Sequence, residues 1–349
     1  MSTTETHKEL TGRVVGCILG QTVGDALGSR YEFQELDAVQ RALRTDLDTK
    51  GHLPMLGGGI CKLVPGAVTD DSEMALTLAR CLIRCGAFDV QEVAKAYSRW
   101  YHSSPPDIGA TTMSALKHTR PEMTSQQVYE TMMHHSKQDN ANSLSNGCLM
   151  RISTLALAGC SWPLESLQRA ARADCCLTNP HVVAQDAVVV YITAIRTALL
   201  TGSRSAAYHA ALTAAQTPVI QAILDQAQHR PHPVPLHTYA AKSATTVMTD
   251  NEARKGYLGI ALQNAFYELV HAKTFESALL NIISRGGDTD TNAAIAGALL
   301  GTTFGFSAIP IDWSTCVLNV KGNKRNKQYP ESATHDLIEV AFRLLSCKA

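Results

Sequence analysis

Five glycines stand four residues apart near the start of the chain: Gly12, Gly16, Gly20, Gly24 and Gly28. Apolar residues fill the positions between them, and the run reads as a helix over Val14–Leu27. A four-residue repeat lays the glycines along one slowly drifting face of that helix. Each glycine costs a helix interior up to ~1 kcal/mol relative to alanine, so something must offset it. Close approach of a second helix is the expectation for Gly12, Gly16 and Gly20. For Gly24 and Gly28, which flank Asp25, close approach of a ligand carries at least equal weight.

The rest of the chain continues the helical pattern. Apolar spacings of three and four recur over Glu73–Cys85, Val90–Tyr101, Leu164–Ala173, Val182–Leu200, Ser205–Gln228, Gly256–His271, Phe275–Ile283, Asn292–Phe304 and His335–Ser346. Alternating strand patterns are scarce. The expected class is all-α, a compact domain of ten or more helices. The alternate prolines of His229–His237 block helix. That stretch reads as a surface loop inside one domain, and its histidines as incidental. The domain is expected to span 1–349, with a core over about 10–306 and a helical extension over 307–349.

Lys plus Arg and Asp plus Glu both number 31, so the chain carries no net charge and lacks the basic footprint of a nucleic-acid binder. The four cations within Lys321–Lys327 read as a solvated loop. No apolar stretch is expected to reach the ~20 residues that span a bilayer. The polar start, Met1–Lys8, does not resemble a secretory signal. Ten cysteines without a CxxC pair read as reduced thiols of a cytoplasmic protein.

Two short acidic segments carry the chemistry. One is Thr69-Asp70-Asp71-Ser72-Glu73, the other Gly287-Asp288-Thr289-Asp290-Thr291-Asn292, and each stands where a helix begins. A cap explains one side-chain oxygen at a helix start. It does not explain two carboxylates with one or two hydroxyls. Crowded carboxylates call for neutralising cations, and Asp and Thr oxygens suit magnesium or manganese rather than zinc or copper. Two clusters converging from two helix ends have the donors for two ions and a bridging water. Gly57-Gly58-Gly59, Pro65-Gly66 and Gly286-Gly287 lie just ahead of the clusters, where glycine allows backbone close to a ligand.

The set Gly24-Asp25-Ala26-Leu27-Gly28, Pro65-Gly66, Thr69-Asp70-Asp71 and Gly286-Gly287-Asp288-Thr289-Asp290-Thr291 resembles the ADP-ribosylhydrolase family, and within it dinitrogenase reductase-activating glycohydrolase. Pro106-Asp107-Ile108-Gly109-Ala110-Thr111-Thr112, Asn146-Gly147-Cys148-Leu149-Met150-Arg151 and Thr178-Asn179-Pro180-His181 follow in the same order, as does Gly256-Tyr257 before a long helix. The resemblance runs from about residue 12 to residue 305. It implies an all-α fold with a binuclear site of two Mg2+ or Mn2+ ions, held by Thr69, Asp70, Asp71, Asp288, Asp290 and Thr291. It implies that Glu32 stands near the reacting carbon and that Asp107 holds the distal ribose or the scissile group. Gly109, Asn146, Gly147, Cys148, Met150 and His181 would line the pyrophosphate and adenosine pocket, with Tyr257 beside the ligand. Ala110 and Cys148 depart from the family pattern, where Asn and Ser or Ala are usual.

The implied activity is removal of ADP-ribose from an ADP-ribosylated protein, with arginine linkage first. Serine-linked ADP-ribose or an O-acetyl-ADP-ribose ester comes second. Asp70, Asp71 and Glu32 are the candidate acids and bases; Glu32, if it is not a ligand, is the better proton carrier. A plain reading of Glu32 is an exposed loop acid, and of Asp107 and His181, helix caps. The rivals in function are a non-catalytic ADP-ribose-binding or crystallin-like protein and a magnesium phosphohydrolase. A monomer with no nucleic-acid or membrane partner completes the expectation.

Overall fold

The structure is a computed structural model and describes residues 3–235, 254–321 and 324–349. Its helices in chain order are α1 (Thr3–Gly28), α2 (Leu36–Asp46), α3 (Asp70–Cys85), α4 (Val90–His102), α5 (Ala110–Leu116) and α6 (Ser125–Asp139). There follow α7 (Ser153–Ala158), α8 (Leu164–Cys176), α9 (Val182–Thr201), α10 (Arg204–Ala214), α11 (Pro218–Ala227) and α12 (Leu258–His271). The last are α13 (Phe275–Ser284), α14 (Thr289–Phe304), α15 (Ile311–Leu318), α16 (Lys324–Gln328) and α17 (Leu337–Leu344). Among the described residues β-structure is limited to isolated bridges, so the fold is all-α.

The glycine ladder sets the centre. A Cβ on Gly16 would lie 2.1 Å from the Gly301 carbonyl oxygen, and one on Gly20 2.2 Å from that of Gly297. On Gly24 it would meet the Ala293 oxygen at 2.1 Å, and on Gly28 the Thr289 oxygen at 2.4 Å. Numbers rise along α1 as they fall along α14, so the two helices run antiparallel with their backbones in contact over four turns. Ligand contact is therefore not what Gly24 and Gly28 serve; they continue the seam. Gly12 lies beyond it, with nothing within 4 Å of its would-be Cβ. Backbone contacts this close gain dispersion and Cα–H···O attraction that offset the cost of glycine. Tyr191 of α9 donates to the Ile295 carbonyl at 2.7 Å and fixes α14 from the other side.

Helix α9 is long and apolar enough to cross a membrane by length and composition, contrary to the sequence expectation, but most of it is buried within the protein. The helix expected over Ser205–Gln228 is two. Thr217 caps α11 with Pro218 at its start. Asp186 accepts from the Gln216 and Thr217 amides at 3.0 and 2.7 Å, which holds the break. Helices α2, α6, α7, α15 and α16 had no counterpart in the sequence reading, and α5 only the short helix that Asp107 was weighed as capping.

The proline stretch is not all surface: His232 is buried and its amide donates to Asn264 Oδ1 at 3.1 Å. His237 lies outside the described residues. Of the basic run, Gly322 and Asn323 also lie outside them; Lys321, Lys324 and Lys327 are exposed as expected, and Arg325 is the exception. Arg325 is largely buried and pairs with Glu73 Oε1 at 2.9 Å.

Candidate active site

Antiparallel packing brings the end of α1 and the start of α14 to the same place, and the Thr289 hydroxyl donates to the Gly28 carbonyl at 2.7 Å. Asp25, on the last turn of α1, then reaches the start of α3. It is fully buried and accepts from the Thr69 amide at 3.0 Å, the Thr69 hydroxyl at 2.9 Å and the Ser72 amide at 3.0 Å. One carboxylate thus ties the first acidic segment to the helix that packs on the second. Burial pushes Asp25 up to about 6.

The rest of α3's first turn divides by role. Thr69 caps the helix and its hydroxyl also lies 3.0 Å from Asp71 Oδ2. Asp70 accepts from the Gly109 amide at 3.3 Å. Glu73 faces away from the site, bound by Trp100 Nε1 at 2.7 Å and by Arg325. It is a structural acid.

On α14, Asp288 accepts from Asn146 Nδ2 at 2.7 Å, and Asp290 from the Thr291 amide at 3.0 Å. The loop of Asn146 is held by the bridge between Ser145 and Tyr257 and by Asn179, which donates to Ser145 Oγ at 3.0 Å. Arg151 is wholly buried, joined to Asp174 at 2.9 Å and to the Thr178 hydroxyl at 2.9 Å. The Thr178-Asn179 and Arg151 motifs therefore position the loop.

Above these segments opens a cleft of ≈ 390 Å³. Eleven of the anticipated site residues line it: Glu32, Asp70, Asp107, Gly109, Asn146, Gly147, Met150, Tyr257, Asp288, Asp290 and Thr291. Thr69 and Asp71 lie buried behind that wall. Cys148 and His181 are not on it. Cys148 is fully buried, with its sulfur 3.8 Å from the Ser145 carbonyl. His181 caps α9, its Nδ1 accepting from the Val183 amide at 3.2 Å. Asp107 caps nothing, since α5 starts at Ala110 with Gly109 as its cap. Glu32 is buried rather than an exposed loop acid. Ligand oxygens of Glu32, Asp107 and Asp290 lie within 4.8 Å of one another, a grouping the sequence did not suggest.

Such crowding shows in the acidities. Burial, followed by the charges of Asp107, Asp288 and Asp25, pushes Glu32 up to about 8. Burial and neighbouring carboxylates hold Asp70, Asp71 and Asp290 well above the usual range. Asp71 Oδ1 is buried without a hydrogen-bond partner among the described residues. A buried, unpaired carboxylate oxygen is expensive unless a cation meets it. All donors are oxygens, which fits a hard dication.

The sequence profile of ADP-ribosylglycohydrolases matches residues 6–343. The chain belongs to the ADP-ribosylglycohydrolase family. It is by that membership an enzyme of the glycosidic-bond hydrolase class. It is 28% identical to ADP-ribosyl-[dinitrogen reductase] glycohydrolase of Rhodospirillum rubrum, over 86% of this chain and 88% of that one. It is 26% identical to the ADP-ribosylarginine hydrolase Tri1 of Pseudomonas putida (strain GB-1), over 89% of this chain and 75% of that one. Among solved structures, an ADP-ribosylglycohydrolase-related protein complex superposes with a TM-score of 0.70 at 26% identity, covering 97% of this chain and 98% of that chain.

Asp25 was quoted with its motif but given no role by the sequence reading. A buried acid inside an apolar helix is the signal that could have found it. Phe33 and Arg254, both on the cleft wall, had no local signal.

Proposed function

We propose that this enzyme removes ADP-ribose from arginine side chains of a modified protein, using two magnesium or manganese ions. Convergence of the two acidic helix starts and Glu32 on one cleft carries this reading. Thr69, Asp70, Asp71, Asp288, Asp290 and Thr291 would hold the ions. When bound, two dications neutralise the carboxylates and lower the pKa of a water poised for attack.

The protein's own groups do the rest. Asn146 fixes the orientation of Asp288. Asp25 fixes the start of α3. Glu32, pushed up to about 8 in the metal-free protein, holds a proton at neutral pH. A carboxyl that still holds its proton at neutral pH is what a general acid needs. Glu32 can give its proton to the leaving nitrogen as positive charge develops on the sugar. Ile108, Met150 and Tyr257 offer apolar wall for adenosine, and Arg254 a cation for the pyrophosphate. The free thiols fit a cytoplasmic enzyme, and a monomer is our reading of its state.

Product analysis tests this. Arginine- and serine-ADP-ribosylated proteins are incubated with the enzyme and Mg2+, and released products are separated. Free ADP-ribose from the arginine-linked protein is the expected result. Preference for the serine linkage or for O-acetyl-ADP-ribose would move the substrate. No product would leave a binding protein, and phosphate or AMP a phosphohydrolase.

A further inference from the structure

Glu32 faces two spaces. One is the cleft already described; the other is a groove of ≈ 460 Å³ on its far side, lined among others by Arg30, Tyr31, Phe33, Gly59 and Ile60. If ADP-ribose fills the cleft, the bond broken at Glu32 leaves its other half facing this groove. Two large apolar side chains stand there in solvent: Phe33 is 49% exposed and Ile60 65%. Single exposed apolar residues are ordinary. These two share one groove, and the backbone is arranged at some cost to present them.

Phe33 has φ 54, a left-handed conformation that a non-glycine residue adopts only at a cost. Its amide donates to the Gly287 carbonyl at 2.7 Å, and Lys255 Nζ donates to its carbonyl at 3.3 Å, which holds the strained turn. Gly57, Gly58 and Gly59 all have positive φ. A Cβ on Gly59 would lie 2.1 Å from the Ser29 carbonyl oxygen, so the triple glycine presses its loop onto the turn that carries Glu32. Ile60, the next residue, is thereby set at the groove.

The charges suit a cation. Arg30 is spent on Asp46, at 2.7 and 3.1 Å, and on the Gly57 carbonyl at 3.0 Å. Where the groove meets the cleft, carboxyl oxygens of Glu32 and Asp107 lie within 4.8 Å of each other and can accept from a guanidinium. A guanidinium at that end with its methylenes toward Phe33 and Ile60 would match both.

We infer that this groove takes the arginine side chain and flanking peptide of the ADP-ribosylated protein, with Phe33 and Ile60 gripping its aliphatic part. The inference rests on the arginine-linked reading above. Burying an aliphatic stem on one isoleucine is an effect of about five- to tenfold in affinity.

The test compares an ADP-ribosyl-arginine peptide with ADP-ribosylguanidine, which has the same leaving nitrogen but neither stem nor peptide. Ile60 is exposed and lies outside the cleft, so its replacement leaves folding intact. Ile60→Ser should lower kcat/KM on the peptide about five- to tenfold, mostly through KM, and change ADP-ribosylguanidine turnover less than about twofold. Ile60→Leu should restore the peptide value. Equal losses on both substrates, or no loss on the peptide, would overturn the groove's assignment. Wild-type enzyme that cleaves neither substrate would overturn the arginine-linked reading itself.

Discussion

Along the middle of their contact, α1 and α14 meet glycine to glycine; at one end they bring carboxylates together. Around Gly16, Gly20, Gly297 and Gly301 the seam is neutral, buried and closed, and there is no room for a methyl group. Around Asp25, Asp70, Asp71, Asp288 and Asp290 the same pair of helices gathers acids whose burial makes ionisation costly. The seam spends helix propensity on packing. The end spends packing stability on a cluster of charges. The rigid part fixes the place and angle of the strained part, since Gly28 and Thr289 join them directly. Substitutions should therefore separate cleanly: the end controls activity with little effect on folding, and the seam the reverse.

The largest effect is expected for Asp290→Asn. A loss of up to ~10³-fold in kcat is the scale of removing an electrostatic stabiliser. Folding should survive, because the change relieves charge repulsion and asparagine is well tolerated at a helix start. Calorimetry with Mg2+ and melting curves with and without it check this. Wild type should gain stability from the metal, about 2.7 kcal/mol at a hundredfold excess over Kd. The variant should gain little. Normal turnover would remove the acidic end from the mechanism.

Glu32→Gln comes next. It should cut turnover at least ~10²-fold, the low end of general acid–base contributions, with ADP-ribose affinity nearly unchanged. Single-turnover rates beside direct ADP-ribose titration measure the two quantities. A variant that turns over normally would assign the proton transfer to another group.

On the seam, Gly20→Ala should reverse the pattern. Its methyl would meet the Gly297 carbonyl oxygen at 2.2 Å, and a backbone oxygen cannot swing aside as a side chain can. Overpacking of this kind costs roughly 3 kcal/mol. Alanine's better helix propensity returns up to ~1 kcal/mol. A net loss of about 2 kcal/mol should lower Tm by roughly 3 °C in a chain of this size. The folded fraction should keep substantial activity at low temperature. A variant as stable as wild type would mean that the helices are not held this close.

Much of this arrangement could be read in the sequence, for reasons that differ between the regions. The acidic helix starts were legible because cap chemistry is local: Thr69 and the residues after Gly287 announce where α3 and α14 begin. The ladder in α1 was legible as a period. Its partner face, Gly297 and Gly301, was also written four residues apart, yet a period on one helix does not name the helix that receives it. Only that pairing shows why Gly24 and Gly28 are glycine. Asp25 and Glu73 look alike on paper, each an acid beside an acidic or glycine-rich motif. One ends up tying α1 to α3 and the other bound to Trp100 and Arg325, because a turn of helix sends them to different neighbours. Cys148 and His181 were drawn into the pocket by their motifs, although each motif's work is done by its neighbours, Asn146 and Asn179. The meeting of Glu32, Asp107 and Asp290 joins three distant segments, and no local pattern encodes it.

The smallest effect is the sharpest probe of the seam. Gly12 belongs to the same four-residue repeat, lies in the same helix and was expected to pack like the others. Its would-be Cβ has open space within 4 Å, because α14 ends at Phe304, short of facing it. Gly12→Ala then removes only the cost of glycine in a helix. It also restricts the unfolded chain, which adds to the same sign. The protein should become more stable by ~0.5–1 kcal/mol. At this chain length that is a rise in Tm of roughly 0.7–1.4 °C. Activity should not change, since Gly12 stands at the opposite end of the seam from the acids. Gly12→Ala and Gly20→Ala are the same chemical change, eight residues apart on one face, with opposite predicted signs. Paired melting curves decide the matter. If both variants lose stability, α1 is intolerant of alanine for a reason other than contact with α14. If both gain, the close approach of the two backbones is wrong, and with it the account of how the acidic end is held in place.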